Sequence, residues 1–420
     1  MATLREFLSS VTEGVTPLRW RPAVPLSLLE CAGRVQVAEG FDQIRQAATD
    51  FWISYDAADD NGRLELFSWF NADLGLDVDE ARAALDAYEQ ERSAASLQAF
   101  TAKAEAPRRE IFRRLNQAKG GTGCLVAMRN DLLKALRTAP DLKAVDVDLK
   151  FLLKAWFNLG VLELRPLDWN SPAQVLEKLI KYEAVHQIDS WRALRQRTEP
   201  PDRRCFGYFH PSMPDEPIIF VQVALGDQIP NSISEILAEE REIVAHSGST
   251  VATFYSISNC QGGLAGISFG NFLIKQVVKF LQVEFEHLET FVTLSPIPGL
   301  ADWAATTPLG ENLEQDVESL RQMTAYYLAE VSSERGGPRD PVARFHLGNG
   351  ARIHAIHADA DLSEKGRAQS FGAMVNYLYD VADMTENHHA FMSEGKIAQS
   401  KAVAQLVTAG RQKITQVAAE

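Results

Sequence analysis

Val251-Ala-Thr-Phe-Tyr-Ser-Ile-Ser258 leads into Asn259-Cys-Gln-Gly-Gly-Leu-Ala-Gly-Ile-Ser-Phe-Gly-Asn271, then into a periodic apolar run from Phe272, and finally into Phe291-Val-Thr-Leu-Ser-Pro-Ile-Pro-Gly299. The first and last segments are β-branched and aromatic, as strands are, and the run between them has helical spacing. Together they predict a β-loop-α-β unit whose loop carries Gly262, Gly263, Gly266 and Gly270. A glycine-rich turn at a helix N-terminus lets backbone approach a ligand closely. It also leaves N–H groups and the positive end of the helix dipole facing outward, which suits a phosphate or pyrophosphate.

Glycine spacing narrows the ligand by exclusion. A phosphate-binding loop of the Walker type needs Lys-Ser/Thr after its last glycine, whereas Asn271 and Phe272 follow Gly270. The dinucleotide fingerprint is not met by Gly263, Gly266 and Gly270, and no acid follows about 20 residues on at a strand end. Two readings stay open on the loop alone. One is a looser pyrophosphate cradle of the kind acyl-CoA enzymes use; the other is a tight strand-to-helix turn with no ligand.

Working outward, the 420 residues are enough for two domains, and a formal charge of −14 argues against a nucleic-acid partner. There is no apolar run long enough for a transmembrane span, and the N-terminal Met-Ala-Thr-Leu-Arg-Glu-Phe-Leu is too charged for a signal peptide. The C-terminal Gln-Val-Ala-Ala-Glu lacks a Ser-Lys-Leu address, so cytoplasmic residence with no membrane partner is the expectation. Cys31, Cys124, Cys205 and Cys260 form no CxxC pair and are expected to be free thiols. Cys260 lies in the glycine-rich loop, where it is either a reactive thiol or, more simply, a small loop residue.

From about Ser68 to Gly160 the chain is rich in strong helix formers, with stops at Pro107, Gly120-Gly121 and Pro140. Residues 1–160 are therefore read as a helical bundle for oligomerisation and support, and residues 161–420 as the catalytic domain. Ser171-Pro172 predicts a helix start with serine as N-cap. Strands are predicted at 217–225, 251–258, 291–294, 342–347 and 352–358, interleaved with helices near 233–245 and 272–282. His354, His357 and Asp359 invite a metal assignment, but residues three apart on a strand point to opposite faces, so no metal is assigned. His388-His389 reads as a surface pair in a turn.

Beyond the loop, Cys205-Phe-Gly-Tyr-Phe-His-Pro211, Phe254-Tyr-Ser-Ile-Ser258, Phe272-Leu-Ile-Lys275, Leu294-Ser-Pro-Ile-Pro-Gly299, Phe345-His-Leu-Gly-Asn-Gly350 and Met374-Val-Asn-Tyr-Leu-Tyr379 resemble the malonyl-CoA decarboxylase family, in that family's order. So do Trp169-Asn-Ser-Pro-Ala-Gln-Val-Leu-Glu-Lys178 and Tyr182-Glu-Ala-Val-His186. The resemblance implies an α+β protein: an all-helical N-terminal domain followed by an acetyltransferase-like (Gcn5-related) α/β catalytic domain, whose sheet splits to admit the pantetheine arm. It implies malonyl-CoA as substrate, acetyl-CoA and CO2 as products, no cofactor beyond the CoA of the substrate, and a homo-oligomer such as a tetramer.

Decarboxylating a malonyl thioester needs no separate electron sink, because the thioester carbonyl takes the electron pair as an enolate. The protein must hold the carboxylate out of the carbonyl plane, stabilise the enolate oxygen and protonate C2. The resemblance places the active pair at Ser295 and His346. Ser295 precedes Pro296, which restricts it to extended geometry, and no Gly-x-Ser-x-Gly elbow marks it as an acylated nucleophile. His346, read at a strand end before Gly348-Asn349-Gly350, is the group expected to titrate near neutral pH. Carried over with them are Tyr379, Ser256 and the CoA-binding loop Ala265, Gly266, Ile267, Ser268, Phe269, Gly270 and Asn271. The family carries an acid where this chain has Ser268, so no loop carboxylate is assigned. An acyl-CoA-dependent N-acyltransferase and a non-catalytic malonyl-CoA-binding regulator are the alternatives.

Overall fold

The protein is described from a computed structural model, which defines residues 26–158, 160–241, 243, 248–267, 272–307, 313, 316–334 and 336–417. The chain divides into two compact units, one of residues 1–125 with 132–149, the other of residues 126–131 with 150–420.

The first unit is helical in its described part. Several of its helices start where the sequence offers a side-chain acceptor for the unpaired N–H groups of the first turn. Ser27 and Glu30 form a reciprocal capping box on Leu28–Val37, Asp59 caps Asp60–Ala72, and Asp77 caps Val78–Gln90. Gly120, at φ +75°, turns the chain into Gly121–Ala135 as the Gly-Gly pair predicts. Phe51, Trp52, Phe67, Phe70 and Phe112 fill its core, and Arg108 is held by Asp148 at 2.6 Å with both side chains buried.

The second unit is built on one sheet, β1 (Glu163–Leu167), β2 (Arg203–His210), β3 (Met213–Gly226), β4 (Val251–Asn259), β5 (Thr290–Thr293), β6 (Ser295–Pro296), β7 (Arg352–His357) and β8 (Met374–Leu378). β1 to β4 are antiparallel neighbours in chain order. β4 and β5 are parallel, as a β-loop-α-β unit requires, and the helix between them is Phe272–Glu284. β8 then pairs antiparallel with β5, β6 and β7.

The geometry that makes a site is the divergence of β4 from β5. Their register runs from Val251 opposite Thr290 to Phe254 opposite Thr293, and one further bond joins Leu294 N–H to the Phe254 carbonyl (3.1 Å). Beyond it β4 continues to Asn259 paired with β3 alone, while the other chain leaves through Ser295. A β-bulge at Tyr255, between the pairs Gln222–Ser256 and Val223–Phe254, bends β4 where the two part. This is the split sheet that the resemblance implied, in an α+β fold.

Four expectations change. Residues 342–347 are part of a helix, Pro341–Gly348, because Asp340 Oδ1 accepts from the N–H groups of Val342 and Ala343 (2.9 Å each) and Pro341 occupies the first turn. The helix from Ile233 ends at Leu237, and the chain then turns so that Arg241 meets Asp202 at 3.2 Å. Ser171 does not cap the next helix: its hydroxyl accepts from Asp168 N–H (3.1 Å), and Ala173–Tyr182 starts after Pro172. His388 lies on the helix Met384–Glu394 rather than in a turn, its Nδ1 at 2.7 Å from the Gly348 carbonyl.

Candidate active site

Ser295 and His346 are brought together from a strand and a helix. Extended geometry before Pro296 aims the Ser295 hydroxyl off β6, and the capped helix Pro341–Gly348 presents His346 from its last turn. Ser295 Oγ lies 3.1 Å from His346 Nε2, and both side chains are buried. On the far side of the ring, Nδ1 lies 2.7 Å from the Tyr379 hydroxyl. Tyr377 stacks on the imidazole with ring centroids 4.6 Å apart and planes at 23°.

Burial decides the protonation of this assembly. It pushes His346 down to about 3, so the ring is neutral at neutral pH, contrary to the expectation of a histidine titrating there. Burial raises Tyr379 well above the ordinary tyrosine range, so in the resting site it carries its proton. Among the described residues the Tyr379 hydroxyl has no other partner, so it donates to Nδ1 and the single ring proton sits on Nε2, facing Ser295. Ser295 in turn donates to Thr293 Oγ1 (2.8 Å), which also accepts from Tyr377 N–H (3.2 Å). The result is a directed chain of donors from Tyr379 through His346 and Ser295 to Thr293.

Ser295 and His346 open on a cavity of about 240 Å³ walled by the splayed stretch of β4, by Pro341, Val342 and Phe345, and by Val185. A second cavity, of about 650 Å³, shares Asn259 and Phe345 with it. It is lined by Ile267, within the glycine-rich loop, and by Leu273, just after it.

Ser256 belongs to this wall, but its hydroxyl is committed elsewhere. It donates to both oxygens of Glu183 (2.9 and 2.8 Å). The same carboxylate accepts from Gln222 Nε2 (3.2 Å), Ser258 Oγ (3.3 Å) and the N–H groups of Val185 and His186 (2.8 and 3.1 Å). Glu183 thereby fastens the turn carrying Val185 to the unpaired half of β4. Sequence reading missed Glu183, Thr293 and Tyr377. Only Thr293 had a local signal, since residues two apart on an extended segment share a face with Ser295.

Of the loop residues, Ala265, Gly266 and Ile267 are defined; Ser268, Phe269, Gly270 and Asn271 lie outside the described residues. Gly262–Leu264 forms a 3-10 turn, and Gly266 adopts φ +72°. Arg129 Nη1 donates to the carbonyls of Gly263 (2.5 Å) and Ala265 (3.0 Å), bracing the turn from within the same unit. A Cβ on Gly263 would lie 1.8 Å from the Val126 carbonyl oxygen, so this glycine serves close backbone packing. Gly263→Ala should lower thermal stability by about 1–3 kcal/mol and weaken CoA binding with it. Gly226→Ala, whose Cβ would meet nothing within 4 Å, should leave both unchanged. Equal melting of Gly263→Ala and its parent would contradict the packing role.

The remaining candidates separate from the site. Cys260 is buried and its thiol is pushed up by burial, which gives the small-loop-residue reading. His354 and His357 lie on β7, where His357 Nε2 pairs with Asn376 Oδ1 at 2.5 Å. Among the described residues no three His, Cys, Asp or Glu side chains gather as metal ligands, and no helix is long and apolar enough to cross a membrane.

Residues 160–316 and 309–417 match the family described as malonyl-CoA decarboxylase C-terminal domain, and residues 74–157 match malonyl-CoA decarboxylase N-terminal domain. The chain is 34% identical over 392 residues to the mitochondrial malonyl-CoA decarboxylase of Anser anser anser, spanning 81% of this chain and 78% of the goose protein. The crystal structure of malonyl-CoA decarboxylase from Rhodopseudomonas palustris superposes with TM-score 0.85 at 41% identity, covering 91% of this chain and 100% of that one. The corresponding protein from Cupriavidus metallidurans gives TM-score 0.71 at 34% identity over 90% of this chain and 99% of that one.

Proposed function

The chain belongs to the malonyl-CoA decarboxylase family, and from that premise we propose that it converts malonyl-CoA to acetyl-CoA and CO2 through an enolate, with Ser295 and His346 as the active pair. The observation that carries the assignment is the contact between Ser295 Oγ and His346 Nε2 at the mouth of the β4–β5 split.

The pantetheine arm enters from the side of Ile267 and Leu273 and reaches the active cavity past Asn259 and Phe345. The loop Ala265–Asn271 holds the pyrophosphate with its backbone and the N-terminus of Phe272–Glu284. In the cavity, the backbone edge of β4 beyond Phe254 has no strand partner on the β5 side among the described residues, and its N–H groups there are placed to meet the thioester oxygen as it takes up enolate charge. Ser295 sets the malonyl carboxylate out of the carbonyl plane.

When the electron pair of the C2–C3 bond, C3 being the departing carboxylate carbon, passes into the thioester, CO2 leaves and C2 needs one proton. The Ser295 hydroxyl gives it, His346 Nε2–H restores Ser295, and Tyr379 O–H restores Nδ1, so the ring ends neutral as it began. On product release solvent protonates Ser295 from the cavity side and the relay runs back, Oγ–H to Nε2 and Nδ1–H to the Tyr379 oxygen, which restores every starting proton. The carbonyl being the electron sink, coenzyme A enters only as part of the substrate. Cytosolic residence and assembly as a homo-oligomer through the N-terminal domain complete the proposal, on the sequence grounds given above.

The protonation state predicts a pH profile. His346 has a folded-state value lowered from 6.5 to about 3, so it stays neutral throughout the range in which a free histidine would gain a proton. The kcat/KM for malonyl-CoA should therefore be flat within about twofold from pH 5.5 to 8. A single limb centred near 6.5 would contradict a neutral, buried His346. The same shift makes the folded state refuse a proton that the unfolded chain accepts below 6.5, so stability should fall as pH is lowered from 6.5 toward 3. His186, lowered to about 4 by burial, adds in the same direction.

A further inference from the structure

Val185 has a cavity on each side of it. One is the active cavity of about 240 Å³; the other, of about 810 Å³, is bounded by Ile233, Leu237, Leu362 and Ala368 among others, with His186 in its wall. The backbone of Val185 is tied from both directions. Its N–H donates to Glu183, the carboxylate that fastens it to β4 (2.8 Å), and its carbonyl accepts from Lys365 Nζ (3.2 Å), on the helix Glu364–Ser370. The pantetheine route meets the active cavity elsewhere, at Asn259 and Phe345. The space behind Val185 is thus left to the acyl end of the substrate. Its nearest use is for a group on C2, the one carbon of the malonyl unit that can bear a substituent.

We infer that Val185 is a specificity-determining partition, which limits the C2 branch of the substrate and, when shortened, opens the active cavity to a second subsite able to take an alkyl chain. The inference rests on the decarboxylase reading of the site. Malonyl-CoA itself needs only the near cavity. A 2-alkylmalonyl thioester must either displace Val185, which two hydrogen bonds hold by its backbone, or be excluded. The wall of that cavity is mixed: Ile233, Leu237 and Ala368 offer apolar contact to a short hydrocarbon, Asp361, Glu364 and Lys365 line it as well, and His186, 7% exposed with Nε2 unpartnered among the described residues, is a polar group such a chain would pass.

The test compares kcat/KM for malonyl-CoA, 2-ethylmalonyl-CoA and 2-butylmalonyl-CoA, read as release of CO2, in the parent protein and in Val185→Ala. Because one methylene in an apolar pocket is worth about 10–200-fold in discrimination, Val185→Ala should raise the butylmalonyl-to-malonyl ratio at least about tenfold. Adding Leu237→Trp, which narrows the 810 Å³ cavity, should return the ratio toward the parent value. Should Val185→Ala fail to fold, Val185→Cys makes the same cut more gently. An unmoved ratio in a folded variant, or a gain that survives Leu237→Trp, would overturn the inference. A parent protein that releases no CO2 from malonyl-CoA would instead strike the reading beneath it.

Discussion

Replacing His346 by glutamine should lower kcat on malonyl-CoA at least about a hundredfold, with CoA affinity changed no more than a few-fold. A positioned proton-transfer group contributes about 10²–10⁴-fold, and it acts on the transition state rather than on CoA, which is held by its phosphates and pantetheine arm. Glutamine is the informative substitution because its amide still meets the buried Tyr379 hydroxyl, which lies 2.7 Å from Nδ1 in the parent. It leaves that group partnered while removing the relay between Nδ1 and Nε2. Melting curves would show whether loss of the stack on Tyr377 unsettles the fold. A folded variant turning over at the parent rate would take His346 out of the mechanism.

Ser295→Ala should fall as far in kcat, for a related reason. Its hydroxyl is the one link between the Nε2 proton and the cavity, and it is oriented on its other side by Thr293 (2.8 Å). Removing it also leaves the Nε2–H buried without an acceptor, a cost of about 1–3 kcal/mol in stability, so activity must be read well below the melting point. The sharper outcome is the double variant. If one proton passes through both residues, Ser295→Ala combined with His346→Gln should be no slower than the slower single variant, since groups acting as a unit are not additive. Multiplicative losses would assign the two residues separate tasks.

Much of the fold was legible because it rests on local pattern. The strands 251–258 and 291–294 and the intervening helix follow from period and β-branching, and the structure places them within a residue or two at each described end. The helix carrying His346 was readable in principle. Asp340-Pro341 is a cap followed by a first-turn proline, yet Val342 and the aromatic Phe345 pulled the reading toward a strand. Pairing of Ser295 with His346 came from family resemblance; 51 residues separate them, and no periodicity links a strand end to the last turn of a helix.

What sequence did not reveal is tertiary. Glu183 sits just after a helix end and reads as a solvated acid, but it collects hydrogen bonds from β3, β4 and its own turn. Arg129, inside a helical run with no chemical motif, braces the loop through two carbonyls. The neutral state of His346 is likewise a property of burial rather than of its neighbours in the chain.

The central claim is tested most directly by incubating the purified protein with malonyl-CoA alone, in the presence of a metal chelator and with no amine, and measuring acetyl-CoA and CO2 together. The account predicts both products in equal amounts at a catalytic rate. Acyl transfer that begins only when an amine is supplied, or tight binding of malonyl-CoA with no CO2 released, would contradict it.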